Sequence, residues 1–123
     1  MRKILIVDDH EDIRTLLRLT LGLANAFEIH EAADGPAALA AVQTLQPDVL
    51  LLDIMMPGPF DGIETCRRVK AAGGAKAPKV VLVSAKPEAD IRAAMADCGA
   101  DLYITKPFGP VTLVEKLNQL YAG

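Results

Sequence analysis

Short apolar runs alternate with stretches of helical period along the whole chain. Lys3-Ile4-Leu5-Ile6-Val7, Val49-Leu50-Leu51-Leu52 and Lys79-Val80-Val81-Leu82-Val83 are apolar without alternation, the pattern of strands covered on both faces. Phe27-Glu28-Ile29-His30-Glu31-Ala32 alternates instead, which predicts an edge strand with one wet face and His30 on the surface. Ala100 to Thr105 supplies a fifth run, and Pro78 opens the fourth. Between them lie five helical stretches. The first has Glu11 and Asp12 in its opening turn, where acids suit the helix dipole. Its apolar positions Ile13, Leu16, Leu17 and Leu21 keep helical spacing, and Gly22 or Asn25 can end it. The second follows Asp34-Gly35-Pro36 and buries Leu39, Val42 and Leu45. The third starts at an Asp61/Glu64 capping box and ends in Ala71-Ala72-Gly73-Gly74. The fourth begins at Pro87, holds Ile91, Ala94, Met95 and Cys98 on one face, and stops at Gly99. The fifth carries Leu113, Val114, Leu117, Leu120 and Tyr121.

Strands alternating with helices predict an α/β fold built on a parallel sheet. Five such units with right-handed crossovers form a doubly wound (βα)5 three-layer sandwich. The flavodoxin-like strand order 2-1-3-4-5 suits one edge strand and two central ones, although periodicity alone does not fix it.

At 123 residues the chain is expected to form one domain, residues 1–123. Hydrophobic content of 51% with 4% aromatics requires an aliphatic core. A net charge of −3 argues against direct nucleic-acid binding driven by overall charge. Cys66 and Cys98 have neither metal nor disulfide-framework spacing and read as small core residues in a reducing compartment. The apolar run after Arg2 and Lys3 is too short, and too soon acidic, for a secretory signal. Met1 directly before the first strand fits a natural start. No stretch is long enough to span a bilayer. A cytoplasmic protein without membrane contact is expected.

The chemistry gathers at strand ends. The first strand runs into Asp8-Asp9, the third into Asp53, the fourth into Ser84, the fifth into Lys106. In an open α/β sheet these ends form the ligand crevice, and the chosen order puts Asp8, Asp9 and Asp53 at its switch point. Three crowded carboxylates either raise a pKa or hold a cation. Oxygen ligands favour a hard ion such as Mg²⁺. A metal-neutralised carboxylate can then attack phosphorus, with Lys106 pairing the transferred group, Ser84 donating a hydrogen bond to it, and Ala85 leaving the approach open. The plainer alternative makes Asp8 and Asp9 helix caps, Lys106 a solvated lysine and Ser84 a hydroxyl on the backbone. Five such residues at one rim favour function.

The set Asp8-Asp9, Asp53 with Met56-Pro57 and Asp61-Gly62, Ser84-Ala85 and Lys106-Pro107-Phe108 closely resembles the receiver domain of two-component response regulators, over essentially the whole chain. The resemblance implies that Asp53 accepts a phosphoryl group from a sensor histidine kinase, a phosphotransfer protein or a small phosphodonor. Asp9, Asp53 and the Met55 carbonyl would hold Mg²⁺, with Asp8 acting through water. Lys106 would bind the phosphate, with a cis bond into Pro107. Ser84 and Tyr103 would be the switch pair, Ser84 moving onto the phosphoryl group and Tyr103 turning inward. The face of the fourth helix, fifth strand and fifth helix would then engage a downstream target or effector domain, or a second copy as a homodimer. The first helix, which holds Arg14, Leu17, Arg18 and Leu21, is a candidate for docking a kinase, though an ordinary amphipathic helix would look the same. Met55 and Lys86 would set phosphoryl lifetime. His10 reads as a solvated helix-start residue, with a role at the kinase interface as the alternative, and Phe108 as packing. The loop departs from the family: Pro57-Gly58-Pro59-Phe60-Asp61-Gly62 is one residue longer than usual.

The rival readings each lack something. An aspartate-nucleophile phosphatase asks for a second acid at position 55, which is Met. A flavin-mononucleotide binder needs a Gly/Ser/Thr-rich phosphate loop where Asp8-Asp9 stand. A phosphorylation-independent binding module would not need the intact five. The expected role is a signalling switch rather than an enzyme acting on a separate substrate.

Overall fold

The structure, a computed structural model, describes residues 2–24 and 27–120, so the expectations placed on Met1, Asn25 and Tyr121 lie outside the described residues. The chain runs β1 (Arg2–Val7), α1 (Glu11–Ala24), β2 (Phe27–Ala32), α2 (Gly35–Leu45), β3 (Val49–Asp53), α3 (Gly62–Gly73), a 3₁₀ turn (Gly74–Lys76), β4 (Lys79–Ser84), α4 (Glu88–Cys98), β5 (Leu102–Thr105) and α5 (Pro110–Gln119). All five strands are parallel, in the order β2-β1-β3-β4-β5. The anticipated three-layer architecture is therefore the observed one.

Alternation within the central strands feeds two cores. Leu5, Val7, Leu50, Leu52, Val80 and Leu82 face α2, α3 and α4. Ile4, Ile6, Val49, Leu51, Val81 and Val83 face α1 and α5. Every residue of β3 is buried, which is why its sequence shows no alternation. Each fully buried Leu or Ile contributes roughly 1.5–3 kcal/mol relative to an exposed one.

Several local expectations are corrected. Leu16 is 54% exposed, because α1 has room for only one of the adjacent pair Leu16-Leu17 against the sheet, and Leu17 takes it. Gly22 does not stop α1, which continues to Ala24. β5 starts at Leu102, two residues later than the apolar run suggested, since Asp101 turns to pair with Lys70. Pro78 precedes β4, and Pro87 caps α4 rather than opening it. Only half of the α3 capping box forms: Asp61 accepts the Glu64 N–H, but the Glu64 carboxylate turns to Arg67 and Arg68. Gly99, at φ +80°, closes α4 as anticipated.

Candidate functional site

Register brings the acids together. Val7 pairs with Leu52, so the next residues, Asp8 and Asp53, leave adjacent strands side by side. Asp53 pairs with Val83, and Ser84 with Thr105. The Lys106 N–H donates to the Ser84 carbonyl at 2.8 Å, which fixes the lysine at the same rim, and its bond to Pro107 is cis. Lys106 Nζ lies 3.4 Å from Asp8 Oδ2 and 3.6 Å from Asp53 Oδ1.

The surroundings hold these groups still. The Arg14 guanidinium donates to the Asp8 carbonyl at 2.7 Å, and Asp8 Oδ1 accepts the His10 N–H at 2.9 Å. Ile54 donates to Val83, and Gly62 donates to the Ile54 carbonyl at 2.9 Å. Gly62 packs so closely that a Cβ there would sit 2.0 Å from the Asp53 carbonyl oxygen. Glycine at the head of α3 is thus a condition for placing Asp53. The lengthened loop folds away from the acids: a Cβ on Gly35 would meet the Phe60 ring at 2.3 Å, and the Arg68 guanidinium stacks 4.0 Å above that ring.

Asp8, Asp53 and Ser84 are buried, Asp53 to 5% exposure. Burial raises the Asp53 pKa above the ordinary carboxylate value; Lys106 opposes this, and Asp8 and Asp9 reinforce it. Asp9 Oδ1 is buried with no hydrogen-bond partner. His10 Nδ1 lies 3.2 Å from it without bonding it, because that nitrogen is hydrogen-bonded to Asp8 Oδ1 at 3.1 Å. One donor atom from each of Asp8, Asp9, His10 and Asp53 lies within 4.8 Å of the others. An orphaned carboxylate oxygen beside a carboxyl driven toward protonation suits a divalent cation. An imidazole nitrogen, absent from the oxygen-only set read from the sequence, stands beside that set. The signal was available: a carboxylate accepting the N–H two residues on forms an Asx turn, which folds residue 10 back over residue 8.

The remaining site residues are less converged. Ser84 Oγ accepts the Lys86 N–H at 3.0 Å, the backbone role weighed as the plainer alternative. The Tyr103 hydroxyl bonds Glu88, with Arg92 Nε at 3.4 Å and Lys116 Nζ 5.7 Å over the ring. Met55 and Lys86 share a cleft of about 360 Å³ with Ile54, Met56, Pro57 and Asp61. Phe108 packs on the α1/α5 core as expected. Leu17 and Leu21 are core residues, and Arg14 and Arg18 grip Glu31 at 3.1 and 2.7 Å, so of these four only the arginines reach the surface of α1. The large apolar residues that α1 exposes are Leu16, Leu19 and Leu23, and Leu23 shares a cleft with exposed Val111 of α5.

A doubly wound parallel sheet with an acidic, lysine-bearing crevice at its switch point has the ligand-site architecture of open α/β folds. The response regulator receiver domain family matches residues 4–118, and the chain belongs to that family. It is 42% identical over 118 residues to the transcriptional regulatory protein ResD of Bacillus subtilis, covering 96% of this chain and 47% of that protein. It is 38% identical over 117 residues to the DNA-binding response regulator MtrA of Mycobacterium leprae, covering 95% and 50%. The chain thus spans about half the length of these curated relatives. The chemotaxis protein CheY4 of Vibrio cholerae superposes with a TM-score of 0.88 at 32% identity, covering 97% of this chain and 98% of that one. The chain is a receiver domain of two-component signalling.

Proposed function

We propose that Asp53 is the phosphoryl acceptor of this receiver, charged by a sensor kinase phosphohistidine or a phosphotransfer protein. The observation that carries the reading is the burial of Asp53 beside Asp8 with Lys106 Nζ 3.6 Å away. A carboxylate oxygen of Asp53 forms the new O–P bond as the donor's P–N bond breaks, and the departing imidazole keeps the electron pair and takes up a proton. Mg²⁺, held by Asp9, Asp53 and the Met55 carbonyl with Asp8 acting through water, would supply charge neutralisation. Lys106 pairs the incoming phosphoryl oxygens. Ser84 gives up the Lys86 N–H to donate to them. Tyr103 leaves Glu88 and turns inward, which reshapes the surface of α4, β5 and α5. That surface engages a downstream protein or effector domain, or a second copy. The exposed stripe Leu16, Leu19 and Leu23 replaces the earlier α1 set as the face offered to the kinase. Met55 and Lys86, lining the cleft toward Asp61, set how fast water reaches the acyl phosphate.

The domain works in the cytoplasm with protein partners and without direct nucleic-acid contact. Among the described residues no helix is long and apolar enough to cross a membrane. Incubation with Mg²⁺ and a small acyl phosphate is expected to add one phosphoryl group to the intact mass of the wild type and none to Asp53→Asn. No gain in the wild type, or equal gain in both, overturns the reading.

A further inference from the structure

We infer that Cys66 and Cys98 are a redox pair that closes, on exposure to a peroxide, to a reversible disulfide locking the carboxyl end of α4 onto α3. The inference is independent of the phosphoryl chemistry of the acidic crevice.

The two residues stand 32 positions apart in the chain, one within α3 and the other the last residue of α4. Folding brings them together as free thiols in one core cluster. The Cys66 thiol donates to the Cys98 carbonyl at 3.3 Å and lies in hydrogen-bonding range of the Cys98 sulfur. Disulfide closure therefore asks for a short approach, to a sulfur separation of about 2.05 Å. The pair is also unequal. The hydrogen bond from Cys66, with the Ala100 N–H in support, holds the Cys98 thiol below its ordinary pKa. The same bond and burial push the Cys66 thiol up. Cys98 is thus the readier thiolate, and its neighbour is placed to resolve it. Access follows the same order. Cys66 is fully buried, whereas Cys98 ends its helix beside exposed Gly99. Helix ends fray, so a small oxidant reaches Cys98 first.

The chemistry closes with hydrogen peroxide as oxidant. The Cys98 sulfur attacks one peroxide oxygen. An S–O bond forms, the O–O bond breaks, and the departing hydroxide leaves as water with the Cys98 proton. The Cys66 sulfur then attacks the Cys98 sulfenic acid. The S–S bond forms, the S–O bond breaks, and hydroxide leaves as a second water with the Cys66 proton. Two thiols are oxidised and one peroxide is reduced to two waters. In a reducing compartment such a bond is transient, as a sensor requires.

The plainer role for Cys66 is to cap the α4 carbonyl at Cys98, and a serine would do that equally well. The test therefore treats the native full chain with hydrogen peroxide as wild type, Cys66→Ser and Cys98→Ala. The wild type is expected to lose about 2 Da, regained with excess thiol, and its non-reducing peptide map to join residues 66 and 98. Cys66→Ser should stop at a Cys98 sulfenic acid that dimedone traps, while Cys98→Ala leaves Cys66 unlabelled. Amide exchange across α4 should slow by about tenfold or more in the oxidised wild type. A wild-type map without the 66–98 link, or with links only between two chains, overturns the inference whether or not either variant folds. Labelling of Cys66 in Cys98→Ala as fast as that of Cys98 in Cys66→Ser overturns the order of attack. A link with unchanged α4 exchange overturns the lock.

Discussion

The two ends of the sheet use the same kinds of side chain to opposite effect. At the amino end each carboxylate has its donors. Asp101 Oδ2 accepts Lys70 Nζ at 2.7 Å and the Val80 N–H at 2.8 Å, and Asp48 Oδ2 accepts the Lys3 N–H at 2.7 Å. Lys70 and Lys3 also reach carbonyls at Pro78 and Leu45. At the carboxyl end, Asp8, Asp9 and Asp53 crowd together with Lys106 as their ammonium partner. Charge is matched where it ties strands down and left unmatched in the crevice proposed to receive a cation and a phosphoryl group. Neutralising a carboxylate should therefore have opposite signs at the two ends.

The largest effect is expected from Lys106→Ala. It leaves two buried carboxylates facing each other and should destabilise the cation-free protein by about 3 kcal/mol. Urea unfolding in chelator measures it, and adding Asp53→Asn should return much of the loss. Next, Asp101→Asn removes a charged acceptor from Lys70 and Val80, with an expected loss of about 2 kcal/mol in the same assay. Asp53→Asn should act in the opposite direction and stabilise the cation-free protein by about 1 kcal/mol at neutral pH. The sign follows from the raised pKa of Asp53. Between the unfolded and the higher folded pKa the native state holds more protons, so wild-type stability falls as pH rises through that window and stays lower above it. The advantage of the Asn variant should shrink on acidification below the window, as pH-dependent thermal melts would record. The smallest effect belongs to Glu31→Gln. Arg18, and then Arg14, lower the Glu31 pKa, so the pair supports folding above the carboxylate range and the support fades as pH falls through the lowered value. Solvent screens this site, and melts should show a loss of only about 0.5 kcal/mol.

How much of this was legible differs element by element. β3 was plain, since four consecutive large apolar residues ending in Asp53 leave no wet face. The edge position of β2 was plain from its alternation. The full strand order was not, because parallel pairing joins segments far apart in sequence and leaves no local trace. Asp8, Asp9, Asp53 and Lys106 converge as the strand ends foretold. The partners that fix them were hidden. Gly62 is explained only by the Asp53 carbonyl lying where its Cβ would be, and the stacking of Arg68 on Phe60 joins a loop to a helix face. α1 misled for a physical reason. Leu16, Leu19 and Leu23 make a second apolar stripe beside Leu17 and Leu21, and helical period cannot choose between two stripes without knowing where the sheet lies.

The most direct measurement is to locate the phosphoryl group. After Mg²⁺-dependent phosphorylation, borohydride converts an aspartyl phosphate into homoserine, and peptide mass analysis reads its position. Conversion at residue 53 alone is the predicted result. Conversion at residue 8 or 9, or phosphoryl label recovered on a histidine with residue 53 unaltered, would contradict the claim that the unmatched end of the sheet exists to charge Asp53.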